Sequence, residues 1–226
     1  MGVRVVGGGG AVVRETLRLL AGRPDAAGGP ERLLLDADVP ERAASALRRA
    51  RARGVARVVL LSWPGAEGGP ALEEAVERSG LPFAILVPHF VYQDDLAFRA
   101  SIVGRGVYPL PIGPRGMSRV DARDAAEAAV RALLDPGHDN RIYPLVGPEP
   151  LTEEEVAGTW AHGLGRTLRC ADGRGPLVRR YRLFRDRGLR ATCRDFLLME
   201  SLLPHPPRPF GLFVREALEK NGGDPG

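Results

Sequence analysis

The chain has 226 residues, enough for one domain with a small appendage, and its 44% of hydrophobic residues can fill a core. It holds no run of about 18 apolar residues and opens without a charged-then-apolar leader, so a membrane span and a secretory signal are not expected, and a soluble, cytoplasmic protein is. The net charge is +4, but all but one of the 32 basic residues are arginine in an Ala-, Gly- and Pro-rich chain, which weakens any argument for nucleic acid. Cys170 and Cys193 are too few for a disulfide framework and fit no metal spacing.

Strand and helix signals alternate along the first half. Val3–Val6 reads as a strand. It runs into the four glycines 7–10 and then a helix with Val12, Val13, Leu17, Leu19 and Leu20 on one broad face. Residues 21–31 are a turn-rich loop, and "RLLLDA" (32–37) is a second strand. Asp38, Pro40 and Glu41 open a helix that stops at Gly54. A buried-type strand follows at 56–62, a helix at 69–80 and a strand at 82–88. Asp121 and Asp124 start another helix, closed by Pro136-Gly137, and 141–147 is a strand. Thr152 and Glu155 form a capping box, and "RTLRCAD" reads as a short final strand. Beyond Gly173 the chain reads as helical and arginine-rich, with Leu177, Tyr181 and Phe184 as a packed stripe. A Pro-rich bend, the helix "GLFVREALEK" and a frayed tail end it.

Several segments, in order, resemble the NmrA-like branch of the atypical short-chain dehydrogenase/reductases: "ARGVARVVLLSWPGA", "ERSGLPFAILVPHFVYQD", "SRVDARDAAEAAVRALLDPGHDNRIYPLVGPEPLTEEEVAGTWAHGLGR" and "HPPRPFGLFVREAL". With the N-terminal stretch they span about four-fifths of the chain. The resemblance implies a Rossmann sheet that binds NADP or NAD, in a family that includes reductases and cofactor-binding regulators.

Three departures shape the expectation. The family's G-x-x-G-x-x-G reads here Gly7, Gly10 and then Val13, whose two methyls should push the helix outward. The chain has room for one strand where the family has three between the first helix and "GVARVVLLS". If that strand is the family's second, Asp36 or Asp38 is the ribose-holding acid. The preferred placement is the fourth, which trims an edge and leaves no gap in the sheet. A right-handed crossover would then put the first helix on the unusual face, unless that helix moves or loop 21–31 carries the chain around the edge. The Tyr-x-x-x-Lys pair is absent, since Lys220 is the only lysine and Glu216 stands four residues before it.

The expected fold is an α/β, Rossmann-like parallel sheet lacking two edge strands, with residues 1–150 as the sheet domain and 151–226 as a small helical cap on the same compact unit. The candidate catalytic residues are His89 as acid or base, Asp94 to orient it, Tyr92 to donate to an oxyanion, and Ser62 as a nucleophile without a supporting Ser-His-Asp order. Trp63, Phe90 and Gln93 are candidate substrate contacts. Gly7, Gly8 and Gly10 are the cofactor contacts if that site is retained. No metal site is expected. The leading functional expectation is cofactor-free acid/base chemistry, cyclisation or isomerisation, on a small aromatic or polyketide-like molecule. The alternatives are an NAD(P)H-dependent quinone or enone reductase and a non-catalytic regulator. A small-molecule substrate, no nucleic acid, no membrane and a possible homodimer complete the expectation.

Overall fold

In the computed structural model, residues 2–27 and 29–219 are described; the expected tail beyond Lys220 lies outside them. Five parallel strands form the main sheet: β1 (Val3–Val6), β2 (Arg32–Asp36), β3 (Arg57–Leu61), β4 (Phe83–Pro88) and β6 (Arg141–Leu145), in that spatial order. The register pairs Val5 with Leu34, Leu34 with Val59, Val59 with Ala84 and Leu86 with Tyr143. The strand at 32–36 therefore sits between β1 and β3. It holds the place of the family's fourth strand, and β1 is the edge.

Successive strand residues point to opposite faces, and each face carries its own helices. Leu34, Val59, Leu61, Ala84 and Leu86 pack with Val12 and Val13 of α1 (Ala11–Ala21) and with the alanine-rich α5 (Ala122–Leu134). Leu33, Leu35, Val58, Leu60 and Ile85 pack on the other face with α3 (Pro40–Arg53) and α4 (Gly69–Glu77). The chain steps along the sheet in the same direction at β1–β2, β2–β3 and β3–β4. With α1 on the face opposite α3 and α4, the β1–α1–β2 unit has the opposite hand to the next two. Helix α1 has kept its face, and the chain returns to β2 through residues 22–31, which include a short helix, α2 (Pro24–Ala27).

A second apolar core lies beyond the sheet. It joins Phe90, Tyr92, Ile102, Tyr108 and Met117 to Val156 and Trp160 of α6 (Glu153–Leu164), to Val178 and Tyr181 of α7 (Pro176–Arg182), and to Phe210 and Phe213 of α9 (Phe210–Glu219). The predicted stripe is packed here, with Tyr181 and Phe184 both buried. A two-stranded parallel sheet pairs β5 (Val107–Tyr108) with β7 (Arg169–Cys170), which lies within the predicted final strand. Helix α8 (Cys193–Glu200) has a capping box, Thr192 with Asp195, and supplies Met199 to the first core. The predicted caps at Asp121 and Thr152 form, Asp121 accepting from the Arg123 amide at 2.9 Å. Asp38 does not cap α3: Val39 is the cap residue, and the Asp38 carboxylate instead meets Arg180.

Candidate functional site

In open α/β sheets ligands bind beyond the carboxyl ends of the strands, where neighbouring connections leave for opposite faces. Here that point lies between β1 and β2, since α1 and α3 take opposite faces. The glycine turn 7–10 forms one wall of the crevice and residues 36–38 the other.

The turn is built by two demands on its backbone. A Cβ on Gly7 would lie 2.9 Å from both Val13 methyls, so the close approach made by the family's third glycine is met here by the first. Val13 is buried in this contact. Gly9 has φ of +83°, a conformation costly for a residue with a Cβ. A Cβ at Gly9 or Gly10 would touch nothing within 4 Å, so this half of the turn opens into space. Gly10 precedes α1, whose first turn carries no acidic residue. The helix end thus keeps its positive character for an anion. Arg14 reaches back and donates to the Gly9 carbonyl.

The opposite wall is closed by Asp36. Its carboxylate is 1% exposed and accepts three N–H groups: the Gly8 amide at 3.1 Å, the Asp38 amide at 3.0 Å and the Trp63 indole at 2.8 Å. Gly8 and Trp63, both expected site residues, are therefore tied together by Asp36, a residue expected to hold a ribose only if its strand were the family's second. The residues present fit the pyrophosphate half of a dinucleotide at Gly9, Gly10 and the α1 terminus. The walls for the adenosine half, the family's second and third strands, are not in the sheet.

The other expected residues disperse around the strand ends. Ser62 donates to Glu73 of α4, on the α3–α4 face. His89 stays in the sheet, its amide donating to the Leu145 carbonyl at 2.9 Å. Burial pushes its imidazole below the usual histidine range, against the pull of Asp195, so it is neutral at neutral pH. Its Nδ1 is buried without a hydrogen-bond partner among the described residues. Phe90 then adopts φ of +62°, a sparsely populated region for an aromatic residue. This turn sends the Phe90 ring into the second core, stacked on Tyr181 at 4.0 Å. Tyr92 is buried between Phe210 and Phe213, donates to the Arg208 carbonyl at 3.3 Å, and is held protonated because burial raises its pKa. Gln93 bridges Asp121 and the Ala122 amide at the start of α5. It lines a pocket of about 290 Å³ with Ala11, Arg14, Leu96, Arg123 and Phe213.

Asp94 does not orient His89. It accepts from the Tyr181 hydroxyl at 2.8 Å and from the Val91 amide. Burial pushes its pKa up to about 6, outweighing Tyr181 and the nearby Arg119. A carboxyl whose pKa is higher folded than unfolded adds stability in full only below the unfolded value of about 3.9, and this is lost as pH rises through about 6. Asp94→Asn keeps an acceptor for Tyr181 and removes the charge. It is expected to stabilise the protein by about 2 kcal/mol at pH 7.5 and by little at pH 4. Urea unfolding at the two pH values checks this, and equal effects at both would show that Asp94 does not titrate there.

No family model matches the chain. It is 31% identical over 159 residues to the NAD(P)H azoreductase of Xenophilus azovorans, a match spanning 65% of this chain and 56% of that protein. The chain thus matches little more than half the length of that relative. Among solved structures, the NADPH-dependent quinone oxidoreductase of Escherichia coli, complexed with NADPH, superposes with a TM-score of 0.78 at 17% identity, over 96% of this chain and 99% of that one. NmrA, a negative transcriptional regulator solved with NADP, superposes with a TM-score of 0.67 at 14% identity, over 99% and 98%. By its parallel sheet and glycine turn the chain has the Rossmann-like fold of these proteins, and in sequence it resembles the NmrA-like branch of the atypical short-chain dehydrogenase/reductases.

Proposed function

We propose that the protein is an NAD(P)H-dependent reductase of a small, flat, conjugated acceptor of the azo or quinone type. The observation that carries this reading is the switch-point crevice: a glycine turn open at Gly9 and Gly10, set at the end of β1 and on the uncapped terminus of α1. The azoreductase match supports the same reading. The expected cofactor-free cyclisation or isomerisation draws no support from the curated relatives, several of which are named as reductases or dehydrogenases, and the buried, dispersed positions of His89, Asp94 and Tyr92 do not assemble an acid/base pair.

A bound dinucleotide supplies a hydride. The chain's own residues would hold it: the amides of Gly9, Gly10 and the first turn of α1 would meet the phosphates, with Arg14 beside them. Trp63, fixed by Asp36, offers a ring at the crevice wall. Azo and quinone acceptors that gain a hydride can take their proton from water, so the absence of a Tyr-x-x-x-Lys pair from the sequence is compatible with this chemistry. The missing adenosine wall should weaken affinity more than it alters placement. Calorimetry with NADPH and NADH is expected to show binding in the range of tens to hundreds of micromolar, about −5 to −6 kcal/mol. Reduction of a quinone or azo dye should follow by loss of absorbance at the reduced cofactor's band. No binding at millimolar cofactor would overturn the reading.

A further inference from the structure

Helix α7 lies over the ends of β2 and β3 and encloses a cleft of about 490 Å³. Asp38 and Pro40 line it from below, Gly65 and Ala66 from the side, and Arg179 and Arg180 from α7. Arg180 spans the seam. Its Nη1 donates to Asp38 Oδ1 at 3.0 Å, and its guanidinium carbon lies 6.0 Å from the centre of the Phe90 ring. Its other two donors, Nε and Nη2, are buried and have no hydrogen-bond partner among the described residues.

Those two donors form one edge of the guanidinium. Elsewhere in this chain the same edge is filled by a carboxylate. Arg57 gives Nε and Nη2 to the two oxygens of Asp139, and Arg123 gives the same pair to Asp121. A fork of this shape matches the two oxygens of a carboxylate or phosphate. Keeping it dry and unmet is unfavourable. Asp38, which holds the third donor, is partly exposed, so the pair is screened by water.

We propose that Arg180 takes an oxyanion of a bound ligand, a phosphate or a carboxylate, in the cleft between α7 and the loops after β2 and β3, its side chain turning off the Phe90 ring to meet it. The proposal rests on the reductase reading for which molecule carries the oxyanion: the dinucleotide's phosphates or an acid group on the acceptor. The binding itself needs no turnover.

The test compares wild type with Arg180→Gln and Arg180→Lys, using inorganic pyrophosphate in one arm and benzoate in the other, by calorimetry and by tryptophan fluorescence. Wild type should bind one of the two at millimolar concentration. Arg180→Gln should lose at least ten-fold in affinity, and Arg180→Lys, which keeps the charge without the fork, should fall between. Preference for pyrophosphate assigns the site to the cofactor, and preference for benzoate assigns it to the acceptor. Without ligand, Arg180→Gln should melt no lower than wild type, because it removes unmet donors. Equal affinities in wild type and Arg180→Gln, no binding of either anion, or a ligand-free melting point several degrees lower would each overturn the proposal. Anion binding without NADPH binding would sink the reductase reading and leave this one standing.

Discussion

Asp95→Ala should destabilise the protein by about 3–5 kcal/mol, a large share of the roughly 5–15 kcal/mol that holds a typical domain together. Asp95 is fully buried, and three other segments converge on its carboxylate. Arg119 donates at 2.7 Å, the Trp160 indole of α6 at 2.8 Å and the Tyr108 hydroxyl of β5 at 3.0 Å, while Asp95 itself comes from the 3₁₀ helix Tyr92–Phe98. Arg119 is only 2% exposed and lies over the rings of Phe210 at 5.0 Å and Tyr92 at 5.8 Å. Truncating Asp95 leaves a guanidinium, an indole N–H and a hydroxyl without their acceptor in a dry core. The cost is that of stranding these groups, which exceeds the net worth of the pair. Equilibrium unfolding in urea measures it. A loss under about 1 kcal/mol would mean that Arg119 reaches water when its partner is removed. The double replacement Asp95→Leu with Arg119→Met should recover part of the loss, because neither charge is then buried alone while the Trp160 indole and the Tyr108 hydroxyl still lack their acceptor.

Asp36→Asn is expected to move stability and ligand affinity in opposite directions. The carboxylate serves three N–H donors, and an amide can present an acceptor to only part of that set. A loss of about 1–2 kcal/mol of stability follows. The same change removes a fixed negative charge from the wall of the crevice in which a pyrophosphate would lie. At an effective dielectric between those of protein and water, two charges about 5 Å apart repel by about 1–3 kcal/mol. Removing one should tighten dinucleotide binding by about ten-fold, or about 1.4 kcal/mol. Calorimetry with NADPH on both proteins, beside urea unfolding, tests the two signs together. Weaker binding by Asp36→Asn would show instead that the carboxylate receives a ligand hydroxyl, an attractive role that outweighs the repulsion.

Much of the fold was legible because it rests on local pattern. The alternation of Leu33, Leu34 and Leu35 between two faces, the alanines of α5, the Thr152 box and the Asp121 cap all act within a few residues of themselves. The placement of strand 32–36 beside β1 followed from the sheet order alone, since any other choice leaves a gap. The site was less legible. His89, Asp94 and Tyr92 are close in sequence, yet the positive φ of Phe90 turns the chain between them, and their partners Asp195, Tyr181 and Arg208 come from 87 to 116 residues away. Arg119 and Arg180 stand in an arginine-rich chain, and nothing local marks which arginine is buried.

That this is a parallel α/β chain with a glycine turn between its first strand and helix is written in local pattern, because periodicity and turn chemistry are properties of neighbouring residues. Which groups face the crevice depends on contacts that arise with folding. A buried carboxylate such as Asp36, held by donors 2, 27 and 28 residues away, acquires its role from the groups that folding brings to it. In a core of low dielectric, the energy of a charge depends on those neighbours more than on its own chemistry.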